Sequence, residues 1–198
     1  MKMYIKNVVA KYEDLLGRTL KEYRVPMESS YHPSTDESEP LEQKELSVFY
    51  GLIGSANWLI TLGRFDVHYA TNALSHFSMA PRRGHLEAMI RVFGYLKKFP
   101  HGQLLVDPNP IDHTEIRKKI NKFDWQEFYP DVEEEKPPDM LPVKGAEAFM
   151  TCYVDADHAH DLVTRRSITG SLFMVNGMPI KWISNCQKTV ETSTYGSV

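Results

Sequence analysis

Tyr153-Val154-Asp155-Ala156-Asp157-His158-Ala159-His160-Asp161, with Arg165-Arg166-Ser167-Ile168-Thr169-Gly170 close behind it, is the stretch whose reading decides the fold. A β-prone run rises into two carboxylates one residue apart. Side chains alternate along a strand, so Asp155 and Asp157 are expected to project from the same side. Two acidic groups at a strand end suit a hard divalent cation, and such an ion, usually with a second, activates water against a phosphodiester. The same residues also suit a plain strand end solvated at a turn, where acidic side chains are common. Spacing alone leaves both readings open.

Around this stretch the strand period continues. Runs at 149–154, 170–175 and 179–184 read as three short antiparallel strands, and Asn176-Gly177 between the last two is a strong hairpin signal. Upstream the period is helical. Residues 4–23 read as an amphipathic helix carrying Ile5, Val8, Val9, Tyr12, Leu15 and Leu16. Residues 26–40, with Pro26, Pro33 and Pro40 among acids and serines, read as a surface linker rather than a packed element. From Leu41 an apolar segment reads as a helix in two pieces. Leu46, Phe49, Tyr50, Ile53, Ala56 and Asn57 share a face there, and Gly51 and Gly54 allow close helix contact. Gly63 should break that run before a second helix near 65–77. A third helix, 82–99, follows with Leu86, Met89, Ile90, Phe93 and Leu96 on its apolar stripe. Its other face carries Arg91, Lys97 and Lys98, which suits ordinary solvation as well as phosphate contact. Residues 103–107 read as a short strand. The acidic, Pro-rich insert 108–146 reads as a long surface loop, a spacer or protein-contact segment.

The 198 residues, 42% hydrophobic and 25% charged, suit one sizeable core or two small ones. No apolar run approaches the length of a membrane span, and the first residues lack the apolar core of a secretory signal. An intracellular, reducing setting in the cytoplasm or nucleus is therefore expected, with Cys152 and Cys186 as buried thiols on adjacent strands rather than a disulfide. The net charge of −3 is unlike a free-standing nucleic-acid binder, but the acidity is concentrated between residues 107 and 139.

The ordered set of motifs resembles the copia-type LTR retrotransposon Pol polyprotein. Asp155-Ala156-Asp157 and Arg165-Arg166-Ser167-Ile168-Thr169-Gly170 are similar to the first strand and second-strand opening of its ribonuclease H domain. The run 179–190 is similar to that domain's third strand and following turn. Tyr50-Gly51-Leu52-Ile53-Gly54-Ser55-Ala56-Asn57-Trp58-Leu59 resembles the helix after the polymerase palm. Gly63-Arg64-Phe65-Asp66-Val67-His68-Tyr69-Ala70 resembles the family's Thr-Arg-Pro-Asp-Ile-x-Tyr-Ala, with Phe65 where proline is usual. His85-Leu86-Glu87-Ala88 and Tyr95-Leu96-Lys97 complete the order.

The resemblance implies an α/β (α+β) chain. Residues 1–102 would be a helical thumb or connection region of a reverse transcriptase, 103–146 an insert, and 147–198 the first part of a ribonuclease H-like domain with three antiparallel strands and the start of a helix. It implies Asp155 as a catalytic metal ligand, helped by Asp157, with Mg²⁺ as cofactor. Arg91, Lys97, Lys98, Arg165 and Arg166 would contact an RNA–DNA hybrid or template–primer duplex. The family's second ligand is a glutamate that falls at Val198 here, and Glu191 lies seven residues early. No Asp-Asp pair of the polymerase palm is present. The expectation is a truncated fragment without catalytic activity alone. Its sheet would be marginal, steadied by the 82–99 helix or by self-association through an open edge. Later helices of the family would bury Leu172, Met174, Ile180 and Trp182. Two rivals remain: a small zinc metallohydrolase built on Asp155, Asp157, His158, His160 and Asp161 with His68, His76 or His85, and a non-catalytic nucleic-acid- or protein-binding module.

Overall fold

Apolar residues at helical spacing build four helices ahead of a three-stranded sheet in this computed structural model, which describes residues 1–102, 104, 114, 128, 130–131, 137–141, 148–159 and 161–190. The expected strand at 103–107, nearly all of the insert, His160 and the helix start after 190 lie outside the described residues.

Helix α1 spans Lys2–Leu16 and buries Ile5, Val8, Val9 and Tyr12. It is shorter than the expected 4–23. Gly17 stops it at φ 62 in the left-handed region, and the Gly17 and Arg18 N–H groups close onto the Asp14 and Glu13 carbonyls. The chain then runs as an extended strap along α4. The Tyr23 N–H reaches the Gly94 carbonyl, and a side chain on Gly94 would collide with the Lys21 carbonyl.

Helix α2, Gln43–Thr61, is the first of the two expected pieces, ending just before Gly63. Its first turn is closed by the Glu45 carboxylate accepting from the Glu42 N–H at 2.9 Å. The buried face is Phe49, Leu52, Ala56, Leu59 and Ile60, so the stripe is rotated from the expected one and Tyr50 and Asn57 are exposed. The two glycines part company. Gly51 lies against the Tyr12 hydroxyl, which brings α1 and α2 together, whereas nothing approaches Gly54. Gly63, at φ 104, turns the chain into a 3-10 turn, Phe65–Val67, and α3, His68–Ser75.

Helix α4, Arg83–Lys98, buries Leu86, Met89, Ile90, Val92, Phe93 and Leu96. With Phe49, Leu52, Leu59 and Leu74 they form the core, each contributing about 1.5–3 kcal/mol relative to exposure. The start of α4 overturns the linker reading of 26–40. The buried His85 ring takes the Arg82 N–H on Nδ1 at 3.0 Å, which leaves Nε2–H to donate to the Pro33 carbonyl at 2.9 Å. Pro33 is buried, Pro40 bridges to Arg82, and Asp36 accepts from the Tyr31 hydroxyl and the Ser38 N–H. The prolines mark a packed loop clipped to α4.

The sheet has the order β1 (Met150–Asp157), β2 (Ile168–Val175), β3 (Met178–Cys186), all antiparallel. Asn176 at φ 48 and Gly177 at φ 77 make the type I′ hairpin that the dipeptide predicts. The sheet rests on α3 and not, as expected, on α4. The Asn72 amide donates to the Ser184 carbonyl at 2.6 Å, and the Trp182 ring meets Phe65 with centroids 5.4 Å apart. Leu172, Met174 and Trp182 are half-buried, and Ile180 is exposed.

Candidate functional site

Register sets the composition of the face that meets α3. Asp155 pairs with Gly170, which pairs with Ser184. Asp157 pairs with Ile168 and then Cys186, and Tyr153 with Leu172 and then Trp182. Directly opposed residues share a face, so both carboxylates stand beside the rings of Tyr153 and Trp182. Gly170 contributes no side chain between Asp155 and Ser184 and leaves the surface concave. Opposite stand Phe65, His68 and Tyr69 from the turn into α3. Together they enclose a cleft of about 550 Å³ with Asp155 and Asp157 on its wall.

The electrostatics follow from that enclosure. Asp155 and Asp157 remain exposed, and an Asp155 oxygen accepts the Ala156 N–H at 2.9 Å. Burial, with the Asp157 charge beside it, raises the Tyr69 phenol. Burial lowers the His68 imidazole, keeping it neutral near pH 7.

The arginines after β1 sit in a tight loop. Arg165 adopts φ 59, and its N–H closes onto the Asp161 carbonyl at 2.8 Å. The Asp161 carboxylate accepts the Val163 and Thr164 N–H groups. Burial raises its pKa, but those bonds and the Thr164 and Ser34 hydroxyls outweigh it and hold the group low. Ser167 is fully buried, its hydroxyl accepting the Ala159 N–H at 3.1 Å, and Thr169 accepts from the Gln187 amide. The Arg-Arg-Ser-x-Thr-Gly run is therefore first a loop-building device. It presents the exposed Arg165 and Arg166 at the surface, with Arg166 on the wall of a second cavity of about 250 Å³ against α3.

On α4 the cations are engaged within the chain. Arg91 pairs with Glu28 and lies 4.2 Å from the Tyr23 ring centroid. Lys97 donates to Glu13 at 2.7 Å and to the Leu20 carbonyl at 3.1 Å, holding the strap, while Lys98 lies near the Phe99 ring.

Neither metal reading finds a complete donor set among the described residues. Among the described residues no three His, Cys, Asp or Glu side chains come together as a metal group. Two carboxylates do not by themselves meet the octahedral demand of Mg²⁺. The zinc alternative fares no better there, since Asp161 serves its own loop and His85 caps α4.

Sequence reasoning passed over Arg64. It is almost completely buried and grips Asp66 through two hydrogen bonds, and a third goes to the Phe99 carbonyl. The Arg-x-Asp spacing was visible, but its burial was not.

The chain is 28% identical over 190 residues to the retrovirus-related Pol polyprotein from transposon RE1 of Arabidopsis thaliana, covering 91% of this chain and 10% of that protein. It is 26% identical over 142 residues to the corresponding polyprotein from transposon TNT 1-94 of Nicotiana tabacum, covering 72% of this chain and 8% of that one. The chain is thus similar to a stretch of retrotransposon Pol polyproteins. It spans about a tenth of the length of those polyproteins. The chain also resembles the secreted RxLR effector protein 161 of Plasmopara viticola, 27% identical over 146 residues, which cover 74% of this chain and 78% of that protein. No family model matches the chain, and no solved structure matches it. No described helix is long and apolar enough to cross a membrane.

Proposed function

We propose that the chain is the part of a copia-type Pol polyprotein that joins reverse transcriptase to ribonuclease H. In this reading residues 1–102 are the thumb or connection region, 103–146 an inserted linker, and 147–198 the opening of the nuclease domain. One observation carries it: Asp155 and Asp157 share one face at the end of the first strand of a three-stranded antiparallel meander. Asp155 is the first carboxylate of a set whose other members come from elsewhere in a full polyprotein. With two carboxylates on this face among the described residues, too little charge is gathered to hold paired ions on a phosphodiester, so weak Mg²⁺ binding and no RNA cleavage are expected of this chain by itself. Contact with an RNA–DNA hybrid or template–primer duplex falls mainly to Arg165, Arg166 and Lys98, because Arg91 and Lys97 already hold the strap.

The experiment is incubation of the purified chain with a labelled RNA–DNA hybrid in Mg²⁺ or Mn²⁺. No cleavage is expected, together with binding that weakens steeply as salt rises. Cleavage abolished by Asp155→Asn would overturn the inactive assignment.

A second reading, a non-catalytic nucleic-acid- or protein-binding module, is favoured by the effector resemblance, since the matched region makes up most of that much shorter protein. Absence of hybrid binding even at low ionic strength would favour the protein-binding form of it.

A further inference from the structure

The cavity of about 250 Å³ lies where three segments meet: the packed loop at Pro33, the end of α3, and the β1–β2 loop with the strand ends beside it. Pro33, Ala73, Phe77 and Ile168 give it apolar walls. Two of them are fixed from behind by His85. The Pro33 carbonyl accepts from that buried imidazole, and the Phe77 ring stacks on it with centroids 4.6 Å apart. An apolar, preformed hollow between two packed bodies is where small organic molecules bind.

The charges around the hollow select the kind of molecule. Arg166 lines it, is exposed, and forms no ion pair among the described residues. His76 lines it too and adds a ring N–H. Asp161 is the one carboxylate among the lining residues. Its oxygens already accept the Val163 and Thr164 N–H groups and the Thr164 and Ser34 hydroxyls. A guanidinium with no carboxylate of its own offers a planar fork of donors that matches one from outside. A cation would meet Arg166 and find the Asp161 oxygens spent on their own loop. The Asp161 charge also discriminates among anions, because it penalises a second negative charge more than a first. A carboxylate is thereby favoured over a phosphate dianion. The volume is below the range of about 300–1,000 Å³ for drug-sized ligands, so it suits a single ring or a branched alkyl body. His32, His76, Asp161 and Cys186 all line the hollow but do not gather as a metal group.

We propose that this cavity binds a small organic monocarboxylate with an apolar body, the body against Phe77, Pro33 and Ile168 and the carboxylate at Arg166. The site goes beyond the Pol reading and stands whether or not the chain binds a nucleic-acid hybrid.

The test is equilibrium dialysis of the full chain with radiolabelled benzoate, using cyclohexanecarboxylate, benzamide, benzylamine and phenyl phosphate as competitors. Benzoate and cyclohexanecarboxylate should bind, and the other three should compete about tenfold or more weakly. Arg166→Gln, at an exposed position, should weaken benzoate binding by a similar factor while circular dichroism stays unchanged. Arg166→Lys should weaken it less. The two thiols report the location. Cys186 lines the cavity, whereas Cys152 does not and is exposed rather than buried as the sequence suggests. Burial raises the Cys186 thiol, so alkylation by iodoacetamide is followed at mildly alkaline pH. Benzoate should slow the reaction at Cys186 and leave Cys152 unchanged. No binding of either carboxylate at millimolar concentration overturns the site, as does benzoate binding that leaves Cys186 unprotected. Equal competition by benzamide, or no effect of Arg166→Gln, overturns the role of the charge. Tighter binding of phenyl phosphate overturns the choice of a monoanion.

Discussion

Arg64 grips Asp66 from two positions away with both prongs of its guanidinium, Nε to Oδ1 at 2.9 Å and Nη2 to Oδ2 at 2.8 Å. Its remaining prong reaches the Phe99 carbonyl at 2.8 Å, and the Tyr95 hydroxyl donates to the same carboxylate at 2.9 Å. One buried cation thus ties the turn before α3 to the end of α4. Arg64→Ala strands these partners and should cost about 3–5 kcal/mol. Arg64→Lys, which cannot reproduce the fork, should cost less but still more than 1 kcal/mol, by rough analogy with other lost charge-assisted bonds. Urea denaturation measures both, and an Arg64→Ala protein as stable as the parent would refute the staple.

The same pair predicts a pH profile. Burial alone would raise the Asp66 carboxyl, but the Arg64 bonds and charge and the Tyr95 hydroxyl outweigh it and hold the group below its ordinary value. A folded pKa below the unfolded value, about 3.9, gives stability that is present above that pH and lost as pH falls through the folded pKa. Unfolding midpoints should therefore hold steady from neutral pH to about 4 and drop beneath it. Asp66→Asn should be less stable at pH 7 with a shallower acid drop. An unchanged acid slope in that variant would remove Asp66 from the account.

Gly51 and Gly54, three residues apart on α2, should respond oppositely to a methyl group. Gly54→Ala meets open space and should be neutral or stabilise by up to about 1 kcal/mol through helix propensity. Gly51→Ala runs into the Tyr12 hydroxyl and should cost about 1–3 kcal/mol. Tyr12→Phe removes the obstructing oxygen, so the Gly51→Ala penalty should shrink in that background. Strictly additive energies in the double mutant would show that the contact is not the cause.

Gly177 holds φ 77 in the turn between β2 and β3, where a side chain costs about 1–2 kcal/mol. The Asn176 amide oxygen also accepts the Phe149 N–H at 2.8 Å, so this hairpin anchors the start of β1. Gly177→Ala should raise the protease sensitivity of the sheet while leaving the helices protected. Uniform loss of protection across the chain would show that sheet and helices unfold as one unit.

Asn72 bonds to the Ser184 carbonyl from α3, linking helical body and sheet. Asn72→Ala should cost about 1 kcal/mol and speed amide exchange in β3 more than in α2 or α4. Exchange unchanged in β3 would place the docking energy in the Phe65–Trp182 contact instead.

What the sequence determined by itself was local. The helical stripe of α4, the period-two runs, the Asn176-Gly177 turn and the shared face of Asp155 and Asp157 all follow from backbone geometry, which repeats every few residues and leaves its mark in the spacing of side chains. What only the tertiary structure decided was which faces meet. The strap after Gly17, the packed loop around Pro33 and the docking of the sheet on α3 depend on contacts between segments far apart in the chain. The burial of Arg64 and the ring-lined cleft over Asp155 depend on them too. Those contacts are chosen by the burial of apolar surface, which is non-directional and leaves no period in the sequence, so Phe65 and Trp182 gave no sign that they would meet.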